Sequence, residues 1–361
     1  MNIIVLAGGL SPERDVSLTS GKAIAEALLS LGHNAYLLDV YLGLDDKNLD
    51  LTTLSLEEFM KSDNYGLHIA KGISRKEPDL DEIAKSRKYQ TESYFGKDVL
   101  KLCQMADITF MALHGSVGEN GKIQSAFDLL GIKYTGPSPL GCSISMDKVM
   151  TKKVFAMSGV STPQGSSIYF DEKDKTLEEL GVKLPVVVKP NDGGSSIGVY
   201  ICHTEEDYKK AILESFSANK KAQLIIEPFT KGREYAAAVF AGKALPLVEI
   251  IPTDEFFNYE DKYQPGASSE ICPPVSIDDK KQREIMDSVE TAFKALEMDV
   301  YGRADYIVDD VTGEFYCFEM NPLPGMTPAS LLPKAGKAAG MTFPELCQNI
   351  IDESIRVRYS K

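Results

Sequence analysis

The sequence predicts an α/β protein, with a parallel sheet near the N-terminus and a larger part built from further strands and helices. Two observations carry this prediction. An apolar run at residues 3–6, a helical segment from about 13 to 31 and a second apolar run at 35–40 give the order strand, helix, strand. That order is typical of parallel sheets, because parallel strands need a crossover connection. Residues 301–325 predict two further strands joined by a turn.

The composition is that of a globular protein, and 361 residues are enough for two or three domains. A formal net charge of -14 argues against broad binding to nucleic acid or to an anionic membrane. No apolar run is long enough to span a bilayer, and the first residues lack the regions of a signal peptide. The six cysteines form no Cys-x-x-Cys pair. We therefore expect reduced thiols in a cytoplasmic protein, with neither a disulfide framework nor a zinc site.

Residues 1–140 are predicted to form the first domain, although the helices of residues 41–105 cannot be placed. The glycines after the first strand do not form G-x-G-x-x-G, which argues against a dinucleotide site. Glu13 follows that strand at the edge where open α/β sheets bind ligands. A first-turn Glu that favours the helix dipole is the preferred interpretation of it. His114 ends the predicted strand 108–113 before a loop with three glycines, and it suits a substrate contact or a loop hydrogen bond equally.

Residues 141–235 are predicted to form the middle domain. Lys189 ends an apolar strand directly before a proline, which places a lysine at the mouth of a site. The Gly-Ser loop at 192–198 can donate backbone N–H groups to phosphates, although it is not a Walker loop. Taken by itself, such a loop is better interpreted as a flexible connector. Glu227 ends another apolar strand, and Glu234 follows it after a short connection. Such acids can accept from the amine of adenine or from ribose hydroxyls.

Residues 236–361 are predicted to form the C-terminal domain, which contains the two strands of residues 301–325. Strict alternation puts Arg303 and Asp305 on one face of the first strand. In the second strand it puts Phe315, Cys317, Glu319 and Asn321 on one face, and Tyr316, Phe318 and Met320 on the other. If the strands pair, Asp305, Glu319 and Asn321 converge as hard oxygen ligands that suit Mg²⁺. The alternative is a hairpin whose polar face is simply hydrated. Residues 256–274 have the length and composition of an active-site lid, with a surface loop as the alternative.

These features occur as a series of motifs in one order along the chain. The motifs are Ser11-Pro12-Glu13-Arg14-Asp15-Val16-Ser17, Leu113-His114-Gly115, Gly118-Glu119-Asn120-Gly121, Ser145-Met146-Asp147-Lys148, Val188-Lys189-Pro190, Gly194-Ser195-Ser196-Ile197-Gly198, Tyr259-Glu260-Asp261-Lys262-Tyr263, Gly302-Arg303-Ala304-Asp305 and Glu319-Met320-Asn321, with Pro324-Gly325-Met326-Thr327 and Ser330-Leu331. In this order the sequence resembles the ATP-grasp superfamily and, within it, the D-alanine–D-alanine ligases. The resemblance covers nearly the whole chain except about residues 41–105, and it implies a two-part ATP-grasp fold after the first domain.

The resemblance also implies roles for individual residues. ATP would be held by Lys148, Lys189, Glu227, Phe229 and Glu234. Two Mg²⁺ or Mn²⁺ ions would be bound by Asp305, Glu319 and Asn321. Substrate binding would involve Glu13, His114, Gly325, Ser330 and Leu331. The implied catalytic residues are Glu13, Ser195, Lys262, Tyr263 and Arg303, where Glu13, Ser195 and Tyr263 would link the loops that close the site.

The implied activity is the ATP-dependent joining of two D-alanine molecules through an acyl phosphate, for peptidoglycan precursors, by a cytoplasmic homodimer without nucleic-acid or membrane partners. Two departures bear on the substrate: Pro322 replaces the usual Thr after the metal-binding Asn, and Pro228 replaces a usual Lys. The alternative is another ATP-grasp carboxylate–amine ligase that makes a different dipeptide or a depsipeptide, although Tyr263 favours the amine. A nucleotide-binding regulatory protein without turnover is a further alternative, but such a protein has no use for Arg303.

Overall fold

The structure is a computed structural model that describes residues 1–44, 54–74, 77–194, 197–252 and 268–360. Three sheets and the helices around them make up these residues. Within the described ranges, no helix is both long and apolar enough to cross a lipid bilayer.

The predicted parallel sheet is confirmed at the N-terminus. Strand Asn2–Ala7 lies between strands Asn34–Asp39 and Ile108–Met111 and pairs with both in parallel. Its side chains from Ile3 onward are buried, because the sheet is covered on both faces. Helix Arg14–Ser30 makes the first crossover. The other helices of this part are Leu56–Ser62, Leu80–Ser86, Val99–Met105, Ser116–Glu119 and Lys122–Leu130, with a 3₁₀ segment at Asn64–Ile69.

The second sheet is antiparallel and has four strands in the order Ser166–Ile168, Leu224–Pro228, Val186–Pro190 and Tyr200–Cys202. Helix Glu205–Ala218 packs on it through Tyr208, Ile212 and Phe216. Two consecutive helices, Pro139–Met146 and Lys148–Met157, precede this sheet in the chain. Asp147 separates them, because its backbone is extended and its carboxylate accepts from the Met150 N–H at 2.9 Å to begin the second helix.

The third sheet is also antiparallel. Its main path runs Ser268–Ile271, Val248–Pro252, Gly232–Phe240, Tyr301–Asp309 and Phe315–Asn321, with Lys243–Ala244 beside Gly232–Phe240. The helices of this part are Asp279–Ala295, Leu331–Ala338 and Phe343–Arg358. The predicted domain boundary at 235 falls inside strand Gly232–Phe240, because the chain leaves the second sheet after Pro228 and enters the third at Gly232.

The two strands of residues 301–325 pair as predicted, but strict alternation is wrong at Cys317. Asp305 lies opposite Glu319 and Tyr306 lies opposite Cys317, so the pairing skips Phe318 at a β-bulge. Neighbours along a strand face opposite sides, so Glu319 shares the face of Asp305 whereas Cys317 turns away with Tyr306 into the core. The bulge keeps Glu319 in the site and buries the cysteine.

One hydrophobic core joins the first sheet to the end of the chain. It contains residues of strand Asn2–Ala7 together with Leu332 and Ile350 of the last two helices. The segment between Asn321 and Leu331 contributes Leu323 and Met326 to the same core.

Candidate active site

A cavity of about 250 Å³ lies between the second and third sheets. Apolar side chains from both sheets line it, namely Val187, Ile201, Phe229, Ile250, Ile307 and Phe318. Five predicted charged site residues also border it, namely Lys189, Glu227, Glu234, Asp305 and Glu319. An apolar slot with a few charged groups at its edge suits a planar base that carries a charged tail. A larger, open cavity of about 780 Å³ beside Leu140 and Phe293 contains none of the predicted site residues.

Glu227 is the most enclosed charge of this cavity. Its side chain is 1% exposed, and each carboxylate oxygen has a lysine partner. Oε1 lies 2.5 Å from Lys189 Nζ, and Oε2 lies 2.6 Å from Lys152 Nζ. Burial by itself raises the pKa of Glu227, but the two ammonium groups outweigh burial and hold the pKa below its ordinary value. Glu227 is therefore an ionised acceptor at the end of the slot.

Lys152 is a member of this cluster that the sequence analysis missed. It also donates to Thr162 Oγ1 at 3.1 Å and to the Pro163 carbonyl at 3.2 Å. Burial lowers the pKa of Lys152, against the opposing attraction of Glu227. The available signal was its spacing: Lys152 lies four residues after Lys148 on one helix, so the two lysines share a face.

Lys148 reaches the same region from that helix. Its ammonium group donates to the Gly193 carbonyl at 2.6 Å and lies 3.3 Å from Glu319 Oε2. Helix Lys148–Met157 therefore directs one lysine toward the third sheet and one toward the second. Lys189 lines the cavity, and Lys148 and Lys152 contact the lining residues Glu319 and Glu227, so three nearly buried ammonium groups lie in or beside it. Such a group of positive charges suits a polyphosphate.

The predicted metal ligands come together on one face of the third sheet. Asp305 and Glu319 are opposite each other, and the Asn321 amide donates to Asp305 Oδ2 at 3.1 Å. The described residues hold no group of three or more His, Cys, Asp or Glu side chains that could share a metal ion. In the predicted ligand set the third oxygen is that of the Asn321 amide. Two carboxylates and an amide oxygen fit Mg²⁺ or Mn²⁺, which prefer hard oxygen donors.

Arg303 lies directly beside these residues. Its Nε and Nη2 atoms each donate to one oxygen of Asp305 at 2.8 Å, which forms a bidentate pair. Such planar pairs fix the orientation of both side chains. The guanidinium is thus held at the edge of the oxygen cluster, on the side toward residue 321.

Glu13 lies close to Gly115 and to Gly194 of the glycine loop. A Cβ added to Gly115 would approach Glu13 Oε2 to 2.7 Å, and one added to Gly194 would lie 3.4 Å from it. The backbone therefore passes close to this carboxylate on two sides. The preferred interpretation of Glu13 as a helix-dipole residue accounts for its place before helix Arg14–Ser30, and the same position brings it beside Gly115 and Gly194.

His114 is buried, and protein atoms contact both of its ring nitrogens. Nε2 lies 3.1 Å from Ser20 Oγ, and Nδ1 lies 2.9 Å from the Leu323 carbonyl oxygen. The two roles left open for His114 were a contact with substrate and a hydrogen bond within the protein, and these contacts support the second. Burial lowers the pKa of His114, and it raises the pKa of the neighbouring Glu119 to about 8.

Glu119 belongs to the motif Gly118-Glu119-Asn120-Gly121 and had no predicted role of its own. Its carboxyl group accepts the Gly115 N–H. The sequence carried no signal that this acid is buried, since a carboxylate among glycines is typical of an exposed loop.

Gly325, Ser330 and Leu331 meet at the start of helix Leu331–Ala338. Ser330 precedes this helix and its Oγ accepts from the Thr327 N–H at 3.1 Å. A Cβ on Gly325 would lie 3.0 Å from the same oxygen. The turn therefore brings backbone N–H groups together at a helix N-terminus, which is a place for a carboxylate. The predictions for Ser195, Lys262 and Tyr263 fall outside the described residues.

Comparison with known families agrees with this arrangement. The family model described as D-ala D-ala ligase N-terminus matches residues 2–137, and the one described as D-ala D-ala ligase C-terminus matches residues 162–352. The chain belongs to the D-alanine–D-alanine ligase family. Both parts of that family are therefore present in one chain, in the order expected from the motifs.

Individual members of the family match along almost their whole length. A D-alanine–D-alanine ligase of Pediococcus pentosaceus is 39% identical over 353 residues, which are 97% of each chain. One of Lacticaseibacillus casei is 35% identical over 359 residues, covering 99% of this chain and 96% of that protein. A crystal structure of the Bacillus anthracis ligase complexed with ATP superimposes with a TM-score of 0.70 at 29% identity, covering 99% of this chain and 98% of that one. The α/β architecture predicted from the sequence is confirmed.

Proposed function

We propose that this protein joins two D-alanine molecules at the expense of ATP, as an enzyme that supplies the dipeptide for peptidoglycan precursors. The observation that carries the proposal is the cavity between two antiparallel sheets, which Lys189, Asp305 and Glu319 line and where Lys148 lies 3.3 Å from Glu319. This is the charge arrangement that a nucleotide triphosphate and its metal require. Family membership over nearly the full chain supports the same activity.

In this proposal the base of ATP enters the apolar slot and its 6-amino group donates to Glu227. Phe229 lies at the wall of the slot, and Glu234 accepts from the ribose. Lys148 and Lys189 contact the phosphates. Asp305, Glu319 and Asn321 would hold two Mg²⁺ or Mn²⁺ ions, which supply charge neutralisation on the phosphate oxygens.

The chemistry proceeds in two transfers. A carboxylate oxygen of the first D-alanine, whose ammonium group is bound by Glu13, attacks the γ-phosphorus, and the bond to ADP breaks. The amine of the second D-alanine then attacks the acyl carbon, loses a proton and expels phosphate. Arg303 and the Gly325 N–H stabilise the oxyanion formed in that step, and preorganised donors of this kind lower the barrier because they need no reorganisation.

The second D-alanine is placed by its carboxylate, which the Ser330 hydroxyl and the Leu331 N–H receive. In this proposal Ser195 and Tyr263 close the site over the acyl phosphate, and Lys262 contacts the transferred phosphate. Exclusion of water is required there, because water hydrolyses an acyl phosphate. The protein is further proposed to work as a homodimer in the cytoplasm, where its six free cysteines stay reduced.

A second candidate is a carboxylate–amine ligase of the same family with a different second substrate. Pro322 favours it, because a proline at this position lacks the N–H and hydroxyl of the threonine that the family usually has beside the metal-binding Asn. Pro228, in place of a lysine that would contact adenine, bears on the nucleotide side only.

The test is ADP release by the purified protein with Mg²⁺-ATP, measured against a panel of D- and L-amino acids and D-lactate. Release that depends on D-alanine alone supports the proposal. Release that requires a second, different acid supports the second candidate. If no amino acid stimulates release while ATP still binds, the ligase assignment is refuted and a nucleotide-binding regulator is favoured.

A further inference from the structure

We propose that Ser20, a residue of the first domain, positions the segment 323–326 and thereby the oxyanion donor of the proposed ligase reaction. Ser20 contacts that segment across the domain junction. Its Oγ accepts from the Met326 N–H at 3.3 Å and lies 3.1 Å from His114 Nε2. His114 in turn reaches the Leu323 carbonyl through Nδ1 at 2.9 Å. This inference rests on the proposed function, since it assigns Ser20 a part in the same site.

The direction of each hydrogen bond follows from chemistry. A carbonyl oxygen only accepts, so His114 Nδ1 carries a proton and donates to Leu323. In a neutral imidazole the other nitrogen is then an acceptor, so the Ser20 hydroxyl donates to Nε2. The Ser20 oxygen is left to accept from Met326. Burial lowers the pKa of His114 and so favours the neutral imidazole, in which this one arrangement of protons satisfies all three contacts.

The environment makes this chain of hydrogen bonds specific. Ser20 is fully buried, and Leu323 and Met326 are each 1% exposed, so bulk water does not replace a lost partner. A serine within a helix commonly bonds the carbonyl four residues earlier, as the hydroxyl of the adjacent Thr19 does with Asp15. The Ser20 hydroxyl is directed out of its helix toward His114 and Met326.

The segment it holds has few donors of its own. Pro322 and Pro324 have no N–H, so the N–H groups of residues 322–326 belong to Leu323, Gly325 and Met326. The hydrogen bonds of His114 and Ser20 fix the Leu323 carbonyl at one end of the segment and the Met326 N–H at the other. The Gly325 N–H, which the proposed mechanism uses for the oxyanion, lies between these two fixed points. Loosening either end allows that donor to turn away from the reacting atoms.

Ser20→Ala is the direct test, because it removes one buried oxygen and retains the helix. We expect kcat to fall roughly ten- to hundredfold, since misplacement of a reacting group by about 1 Å costs on that order. The KM for the second D-alanine should rise as well, because Ser330 follows the same segment. The KM for ATP should stay within about twofold of the native value. Ser20→Thr, which keeps the hydroxyl, should recover most of the activity.

Ser17→Ala is the matched control. Ser17 lies one turn earlier on the same helix, is also fully buried, and makes two hydrogen bonds, from the Gly8 N–H at 2.8 Å and to the Ala112 carbonyl at 2.6 Å. Both partners belong to the first domain. Its loss should lower stability without a selective change in the D-alanine kinetics.

A second measurement begins with the native protein, so its first result does not depend on whether a variant folds. Hydrogen exchange of the native protein should show strong protection of the Met326 amide, and Ser20→Ala, but not Ser17→Ala, should remove it. The inference is overturned if Met326 exchanges as fast as an exposed loop amide, or if both alanine variants have the same kinetic profile. It is also overturned if Ser20→Ala raises the KM for ATP as much as it lowers kcat. Absence of D-alanine-dependent ADP release in the native protein is a different result, which refutes the proposed function itself.

Discussion

Replacing Lys152 with methionine tests the buried charge cluster at the end of the cavity. The native cluster has two ammonium groups and one carboxylate, so its net charge is positive. Methionine keeps the unbranched stem of lysine and removes the charge. Glu227 then has Lys189 as its remaining cation partner in the described structure, and the net charge of the cluster falls to zero.

The expected magnitude follows from burial and geometry. The Lys152 and Glu227 side chains are 12% and 1% exposed, so water screens their 2.6 Å contact little. A hydrogen bond to a charged group contributes about 1.5–3 kcal/mol. Without Lys152, Glu227 is no longer held in its orientation and its charge is balanced against that of Lys189 alone. If ATP binding loses that contribution as a result, the KM for ATP rises about ten- to hundredfold, since about 1.4 kcal/mol is a factor of ten.

The assay is steady-state ADP release with either ATP or D-alanine varied. Lys152→Met should raise the KM for ATP and leave the KM for D-alanine within about twofold, and Lys152→Arg should recover part of the loss. Lys153→Met is the control, because Lys153 is the next residue on the helix and is exposed. A KM for ATP within twofold of the native value in a folded Lys152→Met protein would refute the reasoning.

Three further predictions follow from other contacts. Arg303→Ala should reduce turnover about 10²–10³-fold, as expected for a lost oxyanion donor, while calorimetry still detects ATP binding; near-normal turnover contradicts the assignment. Burial raises the pKa of Glu119 to about 8 from an ordinary value of 4.5, so the folded protein holds a proton that the unfolded chain releases. The free energy of unfolding should therefore fall by up to about 1.4 kcal/mol per pH unit as the pH rises from 4.5 to 8. Denaturant titrations of Glu119→Gln should lack this pH dependence, and equal slopes in both proteins would exclude a proton held by Glu119. Arg358 donates to the Tyr134 carbonyl at 2.7 Å and to Asp299 at 3.0 Å, so Arg358→Ala should lower the free energy of unfolding by about 3–5 kcal/mol. Arg356 pairs with Glu353 at the surface, so Arg356→Ala should leave the free energy of unfolding nearly unchanged. Similar losses in the two variants would contradict this prediction.

Much of the site was predictable because local rules place its residues. Alternation along two strands brought Arg303 and Asp305 to one face, and the polar residues Glu319 and Asn321 in an apolar strand indicated a site. The same rule was wrong at Cys317. A β-bulge depends on how two strands pair across a sheet, and nothing within seven residues of one strand specifies it.

Other contacts of the site join residues far apart in the chain. Lys152 was identifiable as a neighbour of Lys148 on one helix face, but its partner Glu227 lies 75 residues later in the chain, on strand Leu224–Pro228. Ser20 resembles any serine in an amphipathic helix until the turn at Met326 is placed against it. Such pairings are set by tertiary packing, and no local pattern encodes them.

The amino-acid sequence by itself determined the βαβ start, the two paired strands near the C-terminus and the family, because periodicity, turn residues and motif order are local properties of the chain. The tertiary structure alone decided which lysines surround Glu227, that Cys317 leaves the site at a bulge, and that His114 and Ser20 hold the Leu323–Met326 turn. The physical reason is that a buried charge or hydroxyl gains its partner only when distant segments pack together and exclude water from both.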